Sequence, residues 1–158
     1  MPVLELSELK ARMPSGRRLL GLDLGEKTIG LALSDTILAV ATPLQTLTRR
    51  KFTVNAGELS ELIAQYGVGG LIVGLPLNMD GSDGPPAQSA RAFARNFAAH
   101  TDIPIAFWDE RFSTVAVTRT LLEADSSRKR RAEVVDKMAA AYILQGALDR
   151  LRNMATPE

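Results

Sequence analysis

The sequence predicts an α/β domain on a mixed sheet, and three observations carry that prediction. Two short apolar strands, at residues 19–24 and 28–33, are separated only by Gly25, Glu26 and Lys27, which reads as a β-hairpin. Residues 70–75 are continuously apolar, as a strand covered on both faces of a parallel sheet must be. Segments with apolar residues at helical spacing alternate with the later strands, so the sheet should be antiparallel at its start and parallel after the first crossover.

Residues 1–17 form an N-terminal extension without a recognisable motif, and residues 18–154 make up the expected domain. After the hairpin, a third short strand is expected at 38–47. Asn55, with Glu58 three residues on, makes a capping-box-like start for a helix carrying Leu59, Leu62 and Ile63 that should end near Tyr66 and Gly67. Residues 76–86, rich in Pro, Asn, Asp and Gly, form a loop, and the glycines between Asn78 and Pro85 should leave that part mobile until a substrate orders it. Pro86 can start a helix on which Ala90, Phe93, Ala94 and Phe97 recur at helical spacing. A strand at 103–108 ends abruptly at Asp109, Glu110 and Arg111, and Ser113 is a plausible cap for a helix through Leu121 and Leu122. The charged stretch 125–131 reads as a flexible connection. Beyond it, a long helix over 132–153 should bury Val135, Met138, Ala139, Tyr142, Ile143 and Leu148 on a face that is apolar except at Asp136. No internal repeat, low-complexity segment or linker divides the chain.

With 158 residues, 46% of them hydrophobic and 23% charged, the chain has the size and core material of one globular domain. It has no cysteine, which removes disulfides, thiolate zinc sites and cysteine nucleophiles together and agrees with a reducing compartment. The start lacks a basic segment leading into an apolar run, and no stretch approaches the ~18 apolar residues of a membrane span, so a cytoplasmic protein without a membrane partner is expected. Net charge is only +1, but basic residues gather at Arg17 and Arg18, at Arg49, Arg50 and Lys51, and at Arg128, Lys129, Arg130 and Arg131. Together the three clusters suggest a discontinuous phosphate-binding surface; singly, each could be a solvated loop or helix end.

Three acids stand where acids are costly: Asp23 inside a buried strand, Glu110 at a strand end, and Asp136 near the start of an apolar helix. A buried carboxylate costs several kcal/mol unless a cation or hydrogen bonds offset it. Carboxylates arriving from separate elements suit Mg²⁺, which takes hard oxygen ligands, and two such ions about 3.5 to 4 Å apart can activate water and stabilise the leaving oxygen of a phosphodiester. The structural alternative is that Asp23 and Glu110 pair with basic side chains and Asp136 caps its helix. His100, the single histidine, is explained as well by a helix C-terminus as by catalysis.

These acids lie in recognisable motifs. Gly21-Leu-Asp-Leu-Gly-Glu-Lys-Thr-Ile-Gly30, Ile72-Val-Gly-Leu-Pro-Leu-Asn-Met-Asp-Gly81, Asp109-Glu-Arg-Phe-Ser-Thr114 and Val135-Asp136 resemble, in order, the motifs of the YqgF (RuvX) family, over about residues 18 to 150. Members are described as Holliday junction resolvases and, in bacteria, as nucleases that help mature the precursor of small-subunit ribosomal RNA. The resemblance implies a ribonuclease H-like fold with a five-stranded mixed sheet flanked by helices. It also implies an endonuclease of two-metal-ion type, using Mg²⁺ or Mn²⁺. Carried over residue by residue, it makes Asp23, Glu110 and Asp136 the catalytic, metal-holding acids. Lys27, Asn78, Arg111, Ser113 and Thr114 are its candidate contacts to substrate, with Asp80 on the same loop as Asn78. Phe112 stands where leucine is expected, and Asp109 receives no role. The implied partner is nucleic acid, as structured RNA or branched DNA, with ribosomal precursor particles as a natural setting.

Two rival readings have residues behind them. Asp23-Leu-Gly-Glu-Lys resembles the phosphate-binding turn of actin-like and sugar-kinase-like phosphotransferases, but those close two lobes over a nucleotide, and this chain has length for one domain and no second glycine-rich turn. An RNA-binding assembly factor could use the basic clusters and keep the acids for stability. Metal-dependent cleavage separates that reading from a nuclease.

Overall fold

The computed structural model describes residues 3–112 and 128–154, with side chains of the long last helix described from Lys137 onward. In chain order the elements are β1 (Val3–Leu4), α1 (Leu6–Arg12), β2 (Arg18–Leu24), β3 (Thr28–Ser34), β4 (Ala41–Thr48), α2 (Phe52–Tyr66), β5 (Val68–Leu75), α3 (Pro85–Ala98), β6 (Ile105–Asp109), a 3-10 turn (Glu110–Phe112) and α4 (Arg128–Asn153). One sheet runs β1-β6-β5-β2-β3-β4. β2, β3 and β4 are antiparallel neighbours, while β2, β5, β6 and β1 are parallel, as the hairpin and the later crossovers predict.

Helices cover both faces. Leu20, Leu22, Leu71, Val73 and Ile105 bury one face of the sheet against Leu59 and Leu62 of α2 and Phe93 and Phe97 of α3. Leu19, Ala32, Ile72 and Ala106 bury the other against Ala140, Ile143, Leu144, Ala147 and Leu148 of α4 and Leu9 of α1. α4 sits close because glycines make room: a Cβ on Gly21 would stand 2.8 Å from Leu144 Cβ, and one on Gly146 would stand 2.8 Å from Trp108 Cζ2. Gln145 fixes the helix along the sheet, its Oε1 accepting from Ala41 N at 2.9 Å and its Nε2 donating to the Ala39 carbonyl at 3.0 Å.

Several expectations are corrected. The sheet has six strands, not five. The sixth is the pair Val3–Leu4, which joins Ile105 and Ala106 in parallel and is too short to show alternation. The extension ahead of residue 18 thus supplies an edge strand and α1, whose Leu9 is fully buried. Asn55 does not cap α2, which begins at Phe52. Instead, buried in the second turn, Asn55 accepts from Arg50 N at 2.8 Å and donates to the Thr48 carbonyl at 3.1 Å and to Glu58 at 2.8 Å, closing the entry to the helix from its side. α4 starts at Arg128, so residues 128–131 are helical where a flexible connection was expected. Tyr142 on that helix is 37% exposed, whereas Ala139, Ile143 and Leu148 are buried as expected. Val135 and the expected helix through Leu121 and Leu122 fall outside the described residues and side chains.

Candidate active site

Strand alternation sends Leu20 and Leu22 toward α2 and α3, and Leu19, Gly21 and Asp23 toward α4. Asp23, one residue from the end of β2, is 4% exposed. Leu22 pairs with Val73, so Asp23 and Gly74 come next on neighbouring strands, about 4.8 Å apart in such a sheet. Gly74 pairs in turn with Trp108, and Leu75 with Asp109. Glu110, which opens the 3-10 turn beyond β6, reaches back over Gly74. A Cβ on Gly74 would stand 3.1 Å from Glu110 Oε2 and 2.5 Å from Ile143 Cδ1, so a side chain there would push both from their present positions. Asp23, at the strand position beside Gly74, and Glu110, whose carboxylate lies over that glycine, thus share the α4 face at the carboxyl ends of β2, β5 and β6.

Asp136 belongs to α4 four residues before Ala140 and seven before Ile143, the row of the helix that packs over Gly21 and Gly74. Its side chain lies outside those described, as do Ser113 and Thr114 entirely. Among the described residues no three acidic or histidine side chains gather into a metal-sized group; the two described members of the expected trio are the pair at Gly74.

The loop after β5 is closed by its own hydrogen bonds. Gly81 N donates to the Asn78 carbonyl at 2.8 Å, Asn78 N to the Ser82 carbonyl at 2.9 Å, and Asn78 Nδ2 to Ser82 Oγ at 3.0 Å. Ser82 donates through both N and Oγ to Asp80 Oδ1, at 2.9 and 2.6 Å, and these bonds hold the Asp80 carboxyl below its ordinary pKa. Arg111 approaches from the β6 side, its Nη1 donating to the Met79 carbonyl at 3.3 Å. Most of its guanidinium, however, faces Asp109: Nη2 donates to Oδ2 at 2.7 Å and Nε to both oxygens at 3.1 Å. That pairing lowers the Asp109 pKa and raises that of Arg111.

A family model described as RuvX, Holliday junction resolvase, matches residues 17–150. The chain belongs to the RuvX family. Its curated relatives include the "Putative pre-16S rRNA nuclease" of Roseobacter denitrificans, 63% identical over 150 residues that cover 94% of this chain and 92% of the relative. The protein of the same name from Paramagnetospirillum magneticum is 64% identical over 149 residues, covering 94% of this chain and 96% of that one. Among solved structures, RuvC of Thermus thermophilus in complex with a Holliday junction substrate superposes with a TM-score of 0.51 at 11% identity, over 85% of this chain and 96% of that one. That likeness shows the fold, ribonuclease H-like as the motifs implied. Family membership carries the enzyme class, an endonuclease hydrolysing phosphodiester bonds.

In this RuvX chain the described basic clusters lie at different ends of the sheet. Arg18 opens β2 and Arg17 precedes it, at the end of the strand opposite Asp23. Thr48, the last residue of β4, pairs with Thr28, so Arg49, Arg50 and Lys51 emerge at the Asp23 end. Arg49 is engaged within the fold, donating from Nη1 to the Gly25 carbonyl at 2.7 Å and from Nη2 to Ser89 Oγ at 2.9 Å. Its own N–H meets the Lys27 carbonyl at 2.8 Å, fixing the hairpin turn, while the Lys27 residue is exposed. Arg128 and the basic residues after it begin α4, with side chains outside those described. His100 follows α3 and packs its ring on Phe52, centroids 5.3 Å apart, away from the carboxylates. Sequence reasoning missed Gly74, whose role exists only once Ile143 and Glu110 converge on it, and the pairing of Asp109, although its spacing to Arg111 was visible.

Proposed function

We propose that this nuclease depends on a divalent metal and processes the precursor of 16S ribosomal RNA, with Asp23, Glu110 and Asp136 as its metal-holding, catalytic acids. The observation that carries the reading is the buried Asp23 on the strand beside Gly74, with the Glu110 carboxylate lying over that glycine, at the carboxyl end of parallel strands, where an α/β fold places its ligands. The rRNA substrate is argued from the curated relatives, more than 60% identical along almost the whole chain, and precursor ribosomal particles are the corresponding partner.

The donor set fits the proposed metal. Carboxylate oxygens without cysteine or histidine are the hard ligands that Mg²⁺ and Mn²⁺ take. Asp136 shares its row of α4 with Ala140 and Ile143, one and two turns further along the helix, and is the third acid of the proposed set. Bound there, the metal supplies an acidified water and charge stabilisation at the leaving oxygen. The chain supplies rigidity: Asp23 stands on a strand paired on both sides, itself opposite Gly30, and Glu110 lies over the bare backbone of Gly74, which Ile143 also covers. Lys27, Arg50 and Lys51 lie at the same end of the sheet and are suited to substrate phosphates. Asn78, on the adjoining loop, is suited to the sugar–phosphate backbone.

The family description favours a second reading, cleavage of four-way DNA junctions, which would use the same carboxylates. A direct comparison offers a 16S rRNA precursor and a four-way DNA junction, each with Mg²⁺, with Mn²⁺ or with chelator. Metal-dependent cleavage of the RNA is expected. Cleavage of the junction alone would transfer the assignment to recombination, and cleavage of neither, with RNA still bound, would favour an assembly factor.

A further inference from the structure

We infer that Asp109 and Arg111 form a latch that moors the Asn78–Ser82 loop to the strand end carrying Glu110, making both of them positioning residues. The latch itself is independent of the proposed substrate; only its effect on turnover rests on the nuclease reading.

The loop's internal bonds make it a compact unit. Asn78 is joined to Gly81 and Ser82 through the backbone, and Ser82 to Asp80 through two further bonds. Such a unit moves as a body, so its placement depends on its moorings. One is on the α3 side, where Arg91 Nε donates to Asp83 Oδ2 at 2.7 Å. The other is Arg111. Its Nη1 donates to the Met79 carbonyl, and a Cβ on Gly81 would stand 3.4 Å from the same nitrogen, so the guanidinium lies against the turn. Gly81 has φ +88°, a conformation in which a side chain would be strained.

Asp109 determines where that guanidinium can be. It ends β6 opposite Leu75, the last residue of β5 and the point where the loop departs. Besides the side-chain bonds, Asp109 Oδ1 accepts from Arg111 N at 3.0 Å, which bends the chain into the 3-10 turn beginning at Glu110. One carboxylate thus orients the catalytic turn and the arginine that holds the loop. With Nε and Nη2 committed to Asp109 and Nη1 to Met79, Arg111 is a poor candidate for a primary phosphate clamp, the role that its motif suggested.

Hydrogen–deuterium exchange on the full-length, metal-free protein tests the latch without reference to activity. Asp109→Asn and Arg111→Lys should each speed exchange of residues 79–82 on the order of tenfold, the expected result of losing a charge-assisted bond from a locally opening unit, with β2 and β5 unchanged. Two variants guard against one failing to fold. On the 16S precursor, both should lower kcat while leaving KM and the salt dependence of RNA binding near wild type. Unchanged loop exchange in both variants overturns the latch. So does tighter, more salt-dependent RNA binding by Asp109→Asn, since that would show Arg111 to be a phosphate clamp restrained by its neighbour. Faster loop exchange in a protein that cleaves nothing would retain the latch and remove the nuclease reading.

Discussion

The Glu110 carboxylate occupies space left by the missing side chain of Gly74, its Oε2 3.1 Å from where a Cβ would stand. Gly74→Ala should therefore harm activity more than stability. The new methyl meets the far ends of Glu110 and Ile143, which can both give way, for a cost of about 1–3 kcal/mol. Displacing a catalytic group by a fraction of an ångström to an ångström can reduce turnover up to ~10²-fold. Paired urea unfolding and turnover assays check this, and a destabilised variant with normal turnover would show that Glu110 is not held by the glycine.

Gly21→Ala should have the opposite balance. Its Cβ would stand 2.8 Å from Leu144 Cβ and 3.2 Å from the Ala140 carbonyl oxygen, parts of α4 that cannot rotate away. The helix must shift, so the loss should reach or exceed the upper end of the roughly 1–3 kcal/mol typical of overpacking. Urea unfolding should rank Gly21→Ala below Gly74→Ala in stability; the reverse order would mean that α4 slides freely over the sheet.

The Asp80 turn should loosen in acid. Its carboxyl is held below the ordinary aspartate value of 3.8, chiefly by the Ser82 hydroxyl and then by the Ser82 N–H. A depressed folded-state pKa gives stability that is complete above the unfolded value and lost as pH falls through the folded one. The Ser82 amide resonance should thus hold steady above about pH 4 and titrate with a midpoint below 3.8, and it should stay flat in Asp80→Asn. A midpoint at or above the ordinary value would mean that the two hydrogen bonds do not hold the carboxylate.

Within the exposed basic corner, the arginines should separate by role. Arg49→Gln loses the bonds to Gly25 and Ser89 and should destabilise the fold by about 1–3 kcal/mol. Arg50→Gln with Lys51→Gln should leave stability nearly unchanged and reduce the slope of log affinity against log salt by about one for each phosphate no longer neutralised. A salt titration of RNA binding reads this directly, and an unchanged slope would take the corner out of the interface.

Legibility in the sequence followed the range of the interactions. The β2–β3 hairpin and the buried β5 run are local patterns, and each announced its element. Asp23 and Glu110 could be singled out because an acid within or at the end of an apolar run is anomalous on its own. Gly74 carries no such mark, since its role depends on Ile143, nearly seventy positions away, and on Glu110. Val3–Leu4 is too short for a period to show, and Arg49 looks like its basic neighbours until the fold brings Gly25 and Ser89 to it. Asn55 illustrates a local signal correctly noticed and wrongly placed. It does close the entry to α2, bonding Arg50, Thr48 and Glu58, but from the second turn and not from the cap.

The central claim, that Asp23, Glu110 and Asp136 act together to hold a metal, is tested most directly by Mg²⁺-dependent turnover of the 16S precursor in Asp23→Asn, Glu110→Gln and Asp136→Asn. Each substitution keeps side-chain size while removing one negative charge, so thermal unfolding of the metal-free variants controls for the fold. Neutralising one of several clustered carboxylates relieves repulsion, and melting temperatures should be unchanged or raised. Turnover should be lost in all three. Near-normal turnover in the three folded variants, with Mg²⁺ well below saturation, would contradict the claim.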